Sequence, residues 1–492
     1  MTLVWLLLVP MAAGVFCALA RTRRAMETAN LAAFAITFAL SIALAGQVLA
    51  GGAASIWGGF LYADALSALV CLLTSGAGLA SAAYAVGYLR EDERRGRFDD
   101  DPLPALRKYY SLTPLFVAAM LLVALANNLG VMWVAIEATT LASVFLVTLY
   151  GRVTSLEAAW KYAIIGSVGL SMALFGTVLA YYSGHHLIGS DTLAGLNWSV
   201  LAARAAQLDK TTMRLAFILA LLGYGTKAGL APMHTWKPDA YSEAPAPSAA
   251  LLSSAMLNCA IYGLVRFYVL TSRSVGPEYP GRLLLIFGLL SMGIATPFIL
   301  RQKNFRRLLA YSSIDQAGIM AIALGLGGAL ASLGLMLHMT YHTVIKSMLF
   351  LCAGNIDQHY RSDLFEKVKG GVMRVMPATG VVFLTGMLAV AGMPPFSLFQ
   401  SEFLIVRAAV GGGQFLPAAL FVVFSSAIFA GALAHVGGMV LGEAGDAPPA
   451  GRQPWRDGSM LALAAAMAAF AFWLPAPLLE LIRGAARVVT GG

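Results

Sequence analysis

Runs of about 20 predominantly apolar residues, the length a helix needs to cross a bilayer, recur along almost the whole chain. Backbone placed in hydrocarbon must satisfy its own hydrogen bonds, so only helices and closed barrels cross. These runs are too long for barrel strands and lack period-two alternation. They predict an all-α polytopic membrane protein. Composition agrees: 59% of the 492 residues are hydrophobic and 12% are charged, against about 25% charged in a soluble domain. The net charge of +9 comes from short loops between the runs, without the aromatic–basic interleaving of a nucleic-acid surface. Cys17, Cys71, Cys259 and Cys352 are scattered through apolar segments without CxxC spacing. They read as small hydrophobes, and no metal or other cofactor is expected.

The runs predict about fourteen spans, among them 111–127, 129–149, 162–182, 213–232, 246–270, 328–353, 375–409 and 458–481. Orientation follows from charge. The loops RTRR, REDERRGR, RQKNFRR and DQHYRSDLFEKVKGGVMR fall on one side, which carries roughly 22 Lys and Arg against roughly 8 on the other and is then cytoplasmic. An even number of spans puts both termini outside an inner membrane. Arg21, Arg23 and Arg24 follow the first apolar run, an order that suits a retained span and not a signal peptide. The outer loop 183–212 carries His185, His186 and Asp191 and reads as polar surface. The end of the chain, about ten residues after the last expected span, predicts no long C-terminal extension.

Two segments interrupt the pattern at membrane depth: KAGLAPMHTWKPDAYSEAPAP (227–247), with Gly229 and Pro232, and AGMPPFSLFQSEF (391–403), with Pro394 and Pro395. Paired Gly/Pro-broken spans point to inverted repeats. The expected organisation is three spans and a loop (1–110), a five-helix repeat (111–270), a second inverted five-helix repeat (281–442), and a loop with a last span (443–492).

A charge at the bilayer centre costs at least about 2.5–3.5 kcal/mol, so intramembrane ionisable residues need partners or water. Glu137 lies inside an uninterrupted apolar span, and Lys227 directly precedes the first break. His338, His342 and Lys346 recur at i, i+4, i+8, which places them on one helix face. A lone buried His is usually a core residue. Three titratable groups in a row fit a relay better, because imidazole accepts a proton at one nitrogen while donating from the other. Glu402 follows the second break. Ser253, Ser254, Ser312 and Ser313 supply hydroxyls that order water between these groups.

The stretches WVAIEATTLAS, KAGLAPMHTWKPDAYSEAPAPSAALLSSA, RRLLAYSSIDQAGIM, HMTYHTVIKSMLFLCAGN and GMPPFSLFQSEF, in this order, resemble the antiporter-like membrane subunits shared by respiratory complex I, Mrp-type antiporters and membrane-bound hydrogenases. The resemblance implies proton translocation through Glu137, the fifth-span acid coupled to a neighbouring subunit. It also implies roles for Lys227, the lysine of the broken seventh span, for His338, His342 and Lys346 of the central relay, and for Glu402 at its end. Two departures stand out. Asn258 occupies the position of the eighth-span lysine or histidine, and Asp315 brings an acid where the family has a neutral residue.

SEAPAPSAALLSS, AMLNCAIYG and MPPFSLFQSEF are most similar to the F-type membrane component of hydrogenase-4 and formate hydrogenlyase-like complexes. The implied partners are other membrane subunits and a hydrogenase-like or quinone-reductase-like peripheral arm. The chain itself would do no redox chemistry. The alternatives are a subunit of a Na⁺/H⁺ antiporter or of a complex I-type NADH-quinone oxidoreductase, a non-pumping scaffold, and an autonomous transporter of an organic substrate.

Overall fold

The computed structural model describes residues 1–98, 100–188, 194–368, 371–442, 451 and 453–491. Asp191 and the side chain of His186 lie outside the described residues, as does most of the loop expected after residue 443. The chain folds into a helical bundle. Helices α1 (Thr2–Leu19), α2 (Arg23–Gly51), α3 (Ala65–Arg94), α4 (Leu103–Leu125), α5 (Leu129–Val147) and α6 (Val153–Ile188) come first. A two-stranded hairpin, Ala54–Ile56 with Leu61–Ala63, joins α2 to α3. The short α7 (Trp198–Ala203) leads into α8 (Lys210–Ala228), followed by α9 (Trp236–Glu243) and α10 (Ala246–Leu251). A π turn at Leu252–Met256 joins α10 to α11 (Leu257–Val275). The second half holds α12 (Glu278–Leu300), α13 (Phe305–Leu326), α14 (Gly328–Tyr360), α15 (Val372–Val375), α16 (Pro377–Val390), α17 (Ser397–Gly411), α18 (Phe415–Leu441), α19 (Pro454–Phe472) and α20 (Ala476–Thr490).

Among the described residues ten helices are long and apolar enough to cross a bilayer, or eleven with the bent pair α19–α20 counted as one span. Three further crossings complete the expected total of about fourteen: α8 with α9, α14, and α16 with α17. These three carry the ionisable residues or the breaks, and α16, though apolar, is too short to cross alone. Both sequence interruptions are discontinuous helices. At the first, α8 ends on Gly229 with φ +77°, whose N–H bonds back to Gly225 and Thr226. The chain re-enters helix at Trp236. At the second, Gly392 with φ +72° separates α16 from α17.

Several boundaries differ from the sequence reading. The span expected at 162–182 begins at Val153, and the one expected at 328–353 runs on to Tyr360. Helix α6 reaches into the outer loop, and Trp198 of that loop is buried, donating from Nε1 to the carbonyl of Arg266 at 3.0 Å. The expected last span at 458–481 is two helices, α19 and α20, bent by 74°. Pro475 disfavours helix at the residue before it. Past the bend, Leu481, Ile482, Ala485, Ala486 and Val489 are buried while Glu480, Arg483 and Arg487 are exposed, the pattern of a helix lying along an interface.

Small residues let helix pairs approach closely, as membrane packing requires. A methyl on Gly281 would stand 2.6 Å from the Gly325 carbonyl, and one on Gly288 2.7 Å from that of Gly318, so α12 and α13 touch backbone to backbone. The basic loops share one face. Arg97 pairs with Asp357 at 3.1 Å, and the Gln358 amide donates to Asp92 at 2.8 Å, joining the ends of α3 and α14. Arg307 pairs with Asp239 at 3.0 Å, and Lys161 with the same acid at 3.1 Å.

Candidate functional site

Lys227 is the second-last residue of α8 and is 1% exposed. Its ammonium donates to Thr140 Oγ1 at 2.8 Å and to Tyr162 Oη at 2.7 Å, and lies 4.9 Å from the Tyr162 ring centroid. Tyr162 is held by Ser143 at 2.7 Å and stacks on Trp236, with ring centroids 4.4 Å apart. Glu137 stands one turn before Thr140 on α5, so acid and lysine meet the same helix face. It is half-buried, however, and not sealed inside the bundle. Ser167 of α6 donates to its Oε1 at 3.1 Å.

Across the first break lies Lys237, fully buried in the first turn of α9. Its ammonium folds back to the carbonyl of Ala228 at 2.6 Å and reaches the carbonyl of Ser313 on α13 at 3.4 Å. The missing side chain of Gly229 makes this possible, because a methyl there would stand 2.6 Å from Lys237 Cδ. The sequence reading did not single out this lysine. Followed by Pro238 and Asp239, it looks like loop. The signal was its place inside the break, ten residues after Lys227.

The π turn brings Ser253 and Ser254 to bear on the second half. Ser253 meets Ser313 at 2.9 Å, and Ser254 meets Ser347 at 3.0 Å. The extra residue of a π turn commonly marks such functional positions. On α14, Lys346 donates to the Leu309 carbonyl at 2.9 Å and to Ser312. His338 and His342 lie on the same face as expected, with rings nearly parallel and centroids 6.4 Å apart. The two rings do not hydrogen-bond each other. His338 Nδ1 pairs with Ser401 of α17 at 3.0 Å, whereas both nitrogens of His342 are buried without a partner among the described residues.

Asn258 donates to Thr343 Oγ1 at 2.7 Å, leaving its own carbonyl oxygen without a partner among the described residues. Asp315 accepts from Gln316 at 3.1 Å, and Gln316 also donates to the carbonyl of Val390, the last residue of α16, at 3.2 Å. Glu402 is 7% exposed and lines a 410 Å³ cavity with Gly392, Pro394 and otherwise mostly apolar residues of α17 and α18. The structure thus places the sequence-derived residues along a run of helices, Glu137 on α5, Lys227 on α8, Lys346, His342 and His338 on α14, and Glu402 on α17. Thr140, Tyr162, Lys237, Gln316 and Ser401 are the connectors that sequence reasoning missed. Hydroxyl and amide side chains carry no membrane penalty large enough to draw notice from sequence.

A many-span bundle with two broken helices and a buried ionisable file defines an antiporter-like membrane subunit. The chain belongs to the family described as NADH:quinone oxidoreductase/Mrp antiporter, whose transmembrane model matches residues 126–429. It is 40% identical over 365 residues to a hydrogenase-4 component F homolog of Methylacidiphilum infernorum, covering 74% of this chain and 76% of that one. It is 31% identical over 378 residues to NADH-quinone oxidoreductase subunit N of Desulforudis audaxviator, covering 75% and 70%. In fold it is similar to a chain of the Mrp complex from a Dietzia species, with a TM-score of 0.86 and 23% identity over 99% of this chain and 97% of that chain.

Proposed function

We propose that this chain is a proton-translocating membrane subunit of a hydrogenase-4-like redox complex, coupling electron transfer in a peripheral arm to proton movement. The observation that carries this reading is the file of buried amines, imidazoles and carboxyls crossing α8, α9, α13, α14 and α17. Burying so many ionisable groups costs stability, and a scaffold has no use for them. The similarity to a hydrogenase-4 component F homolog supports the subfamily. Segments 111–270 and 281–442 act as the two inverted repeats, each supplying one broken helix. The face carrying Arg94 and Lys303 is cytoplasmic, both termini lie outside, and the membrane is the cell inner membrane. Neighbouring membrane subunits of the same complex lie beside Glu137, which is half-buried on α5.

The test is Lys227. Lys227→Ala should leave the complex assembled and abolish proton transfer in proteoliposomes. Lys227→Arg should abolish it as well, because guanidinium keeps its proton. Transfer at the wild-type rate in Lys227→Arg would rule this reading out.

A further inference from the structure

We propose that Lys237 is itself a proton carrier, taking the step that Asn258 cannot take. This inference rests on the proton-translocation reading of the same file. Between Lys227 of α8 and Lys346 of α14, the position where a titratable eighth-span side chain would stand holds Asn258. An amide orders water but accepts no net charge. Lys237 reaches across the first break to the backbone of α13, whereas Asp239, which also meets α13, is paired with Arg307 and Lys161.

Three observations place it in the path. Its ammonium is bonded to the carbonyl of Ala228, the residue next to Lys227, and so sits on the far side of the same break. It also reaches the carbonyl of Ser313, whose hydroxyl meets Ser253 at 2.9 Å. Ser312, the neighbour of Ser313, receives the ammonium of Lys346. Among the described residues no carboxylate pairs with Lys237, whereas the exposed Lys161 pairs with two. A lysine kept for structure alone would be expected to have such a counter-ion when buried.

The step is simple in its balance. The neutral amine of Lys237 takes up a proton released on the Lys227 side and becomes an ammonium. It then gives that proton to the Lys346–His342 side and returns to the amine. One N–H bond forms and one breaks, and no electrons move.

A structural role is the rival account, since Lys237 also satisfies a carbonyl freed at the break. Two variants separate the accounts in assembled complex. Lys237→Gln keeps a donor for Ala228 without a transferable charge, and Lys237→Arg keeps donor and charge without release of the proton. If Lys237 carries the proton, each variant assembles and proton transfer per assembled complex falls by about 100-fold, a size typical of losing a proton-transfer group. Transfer within twofold of wild type in either variant overturns the proposal. Lys227→Ala run alongside tells two failures apart. Loss of transfer there with normal transfer in Lys237→Arg removes only the role of Lys237. Normal transfer in Lys227→Ala removes the proton pathway itself.

Discussion

The carboxylate of Glu402 rests on the α-carbon of Gly392, ten residues earlier in the chain: a methyl group on that glycine would overlap Oε2 and stand 3.0 Å from the carboxyl carbon. The same relationship holds at the first break, where Lys237 lies over Gly229. In both broken helices a glycine with positive φ turns the chain, and its missing side chain admits an ionisable group. Gly392→Ala should therefore be destabilising twice over. A left-handed non-glycine residue costs about 1–3 kcal/mol, and the carboxyl must also move. Thermal unfolding of the purified complex should shift down and proton transfer should fall. Unchanged stability would show that the break does not depend on this glycine.

Asn258 tests whether water bridges the first and second halves. Asn258→Ala removes a hydrogen bond worth about 1 kcal/mol, and the space it leaves is polar enough for water to refill. Transfer should drop by a factor of roughly five. Asn258→Leu fills the same space with hydrocarbon and should cost far more. Equal effects of the two substitutions on transfer per assembled complex would contradict a water bridge.

His338 and His342 face each other without touching, and groups acting as a unit lose function non-additively. His338→Ala, His342→Ala and the double variant should each interrupt one path, so the double should transfer protons little worse than the poorer single. If the rings only pack, the double variant should assemble poorly and transfer normally per assembled complex. Proteoliposome measurements normalised to assembled complex distinguish the two.

Orientation is read from cysteine labelling with an impermeant reagent. Arg94→Cys and Lys303→Cys should react from the cytoplasmic side, and His185→Cys from the outside, all three positions being exposed. Arg306, though part of the basic stretch RQKNFRR, lies in α13 and is a poor probe. Its guanidinium is buried on the carbonyls of Tyr241 and Ala244. Reaction of positions 94 and 185 from the same side would overturn the assigned topology.

How much of this was legible in the sequence depends on how strong a constraint each feature obeys. The spans were legible because hydrocarbon tolerates only long apolar helices. Both breaks were legible because Gly and Pro at membrane depth are costly. The bend at Pro475 was missed because the residues around it remain apolar, and hydropathy sees composition and not direction. The amphipathic face of α20 becomes visible only when the helix is cut from α19.

The sequence by itself determined that Glu137, Lys227, His338, His342, Lys346 and Glu402 lie within or at the edge of spans, since a charge in an apolar run stands out against its surroundings. It also determined that the three residues of α14 share a face, because helical periodicity is local. Only the tertiary structure decided which groups meet. It half-exposes Glu137, links Lys227 to Tyr162 of α6, folds Lys237 back over Gly229, and separates the two histidine rings. The contact of Lys227 with Tyr162 joins residues 65 positions apart, and it is fixed by how closely helices pack, a property of pairs of surfaces that no single stretch of sequence contains.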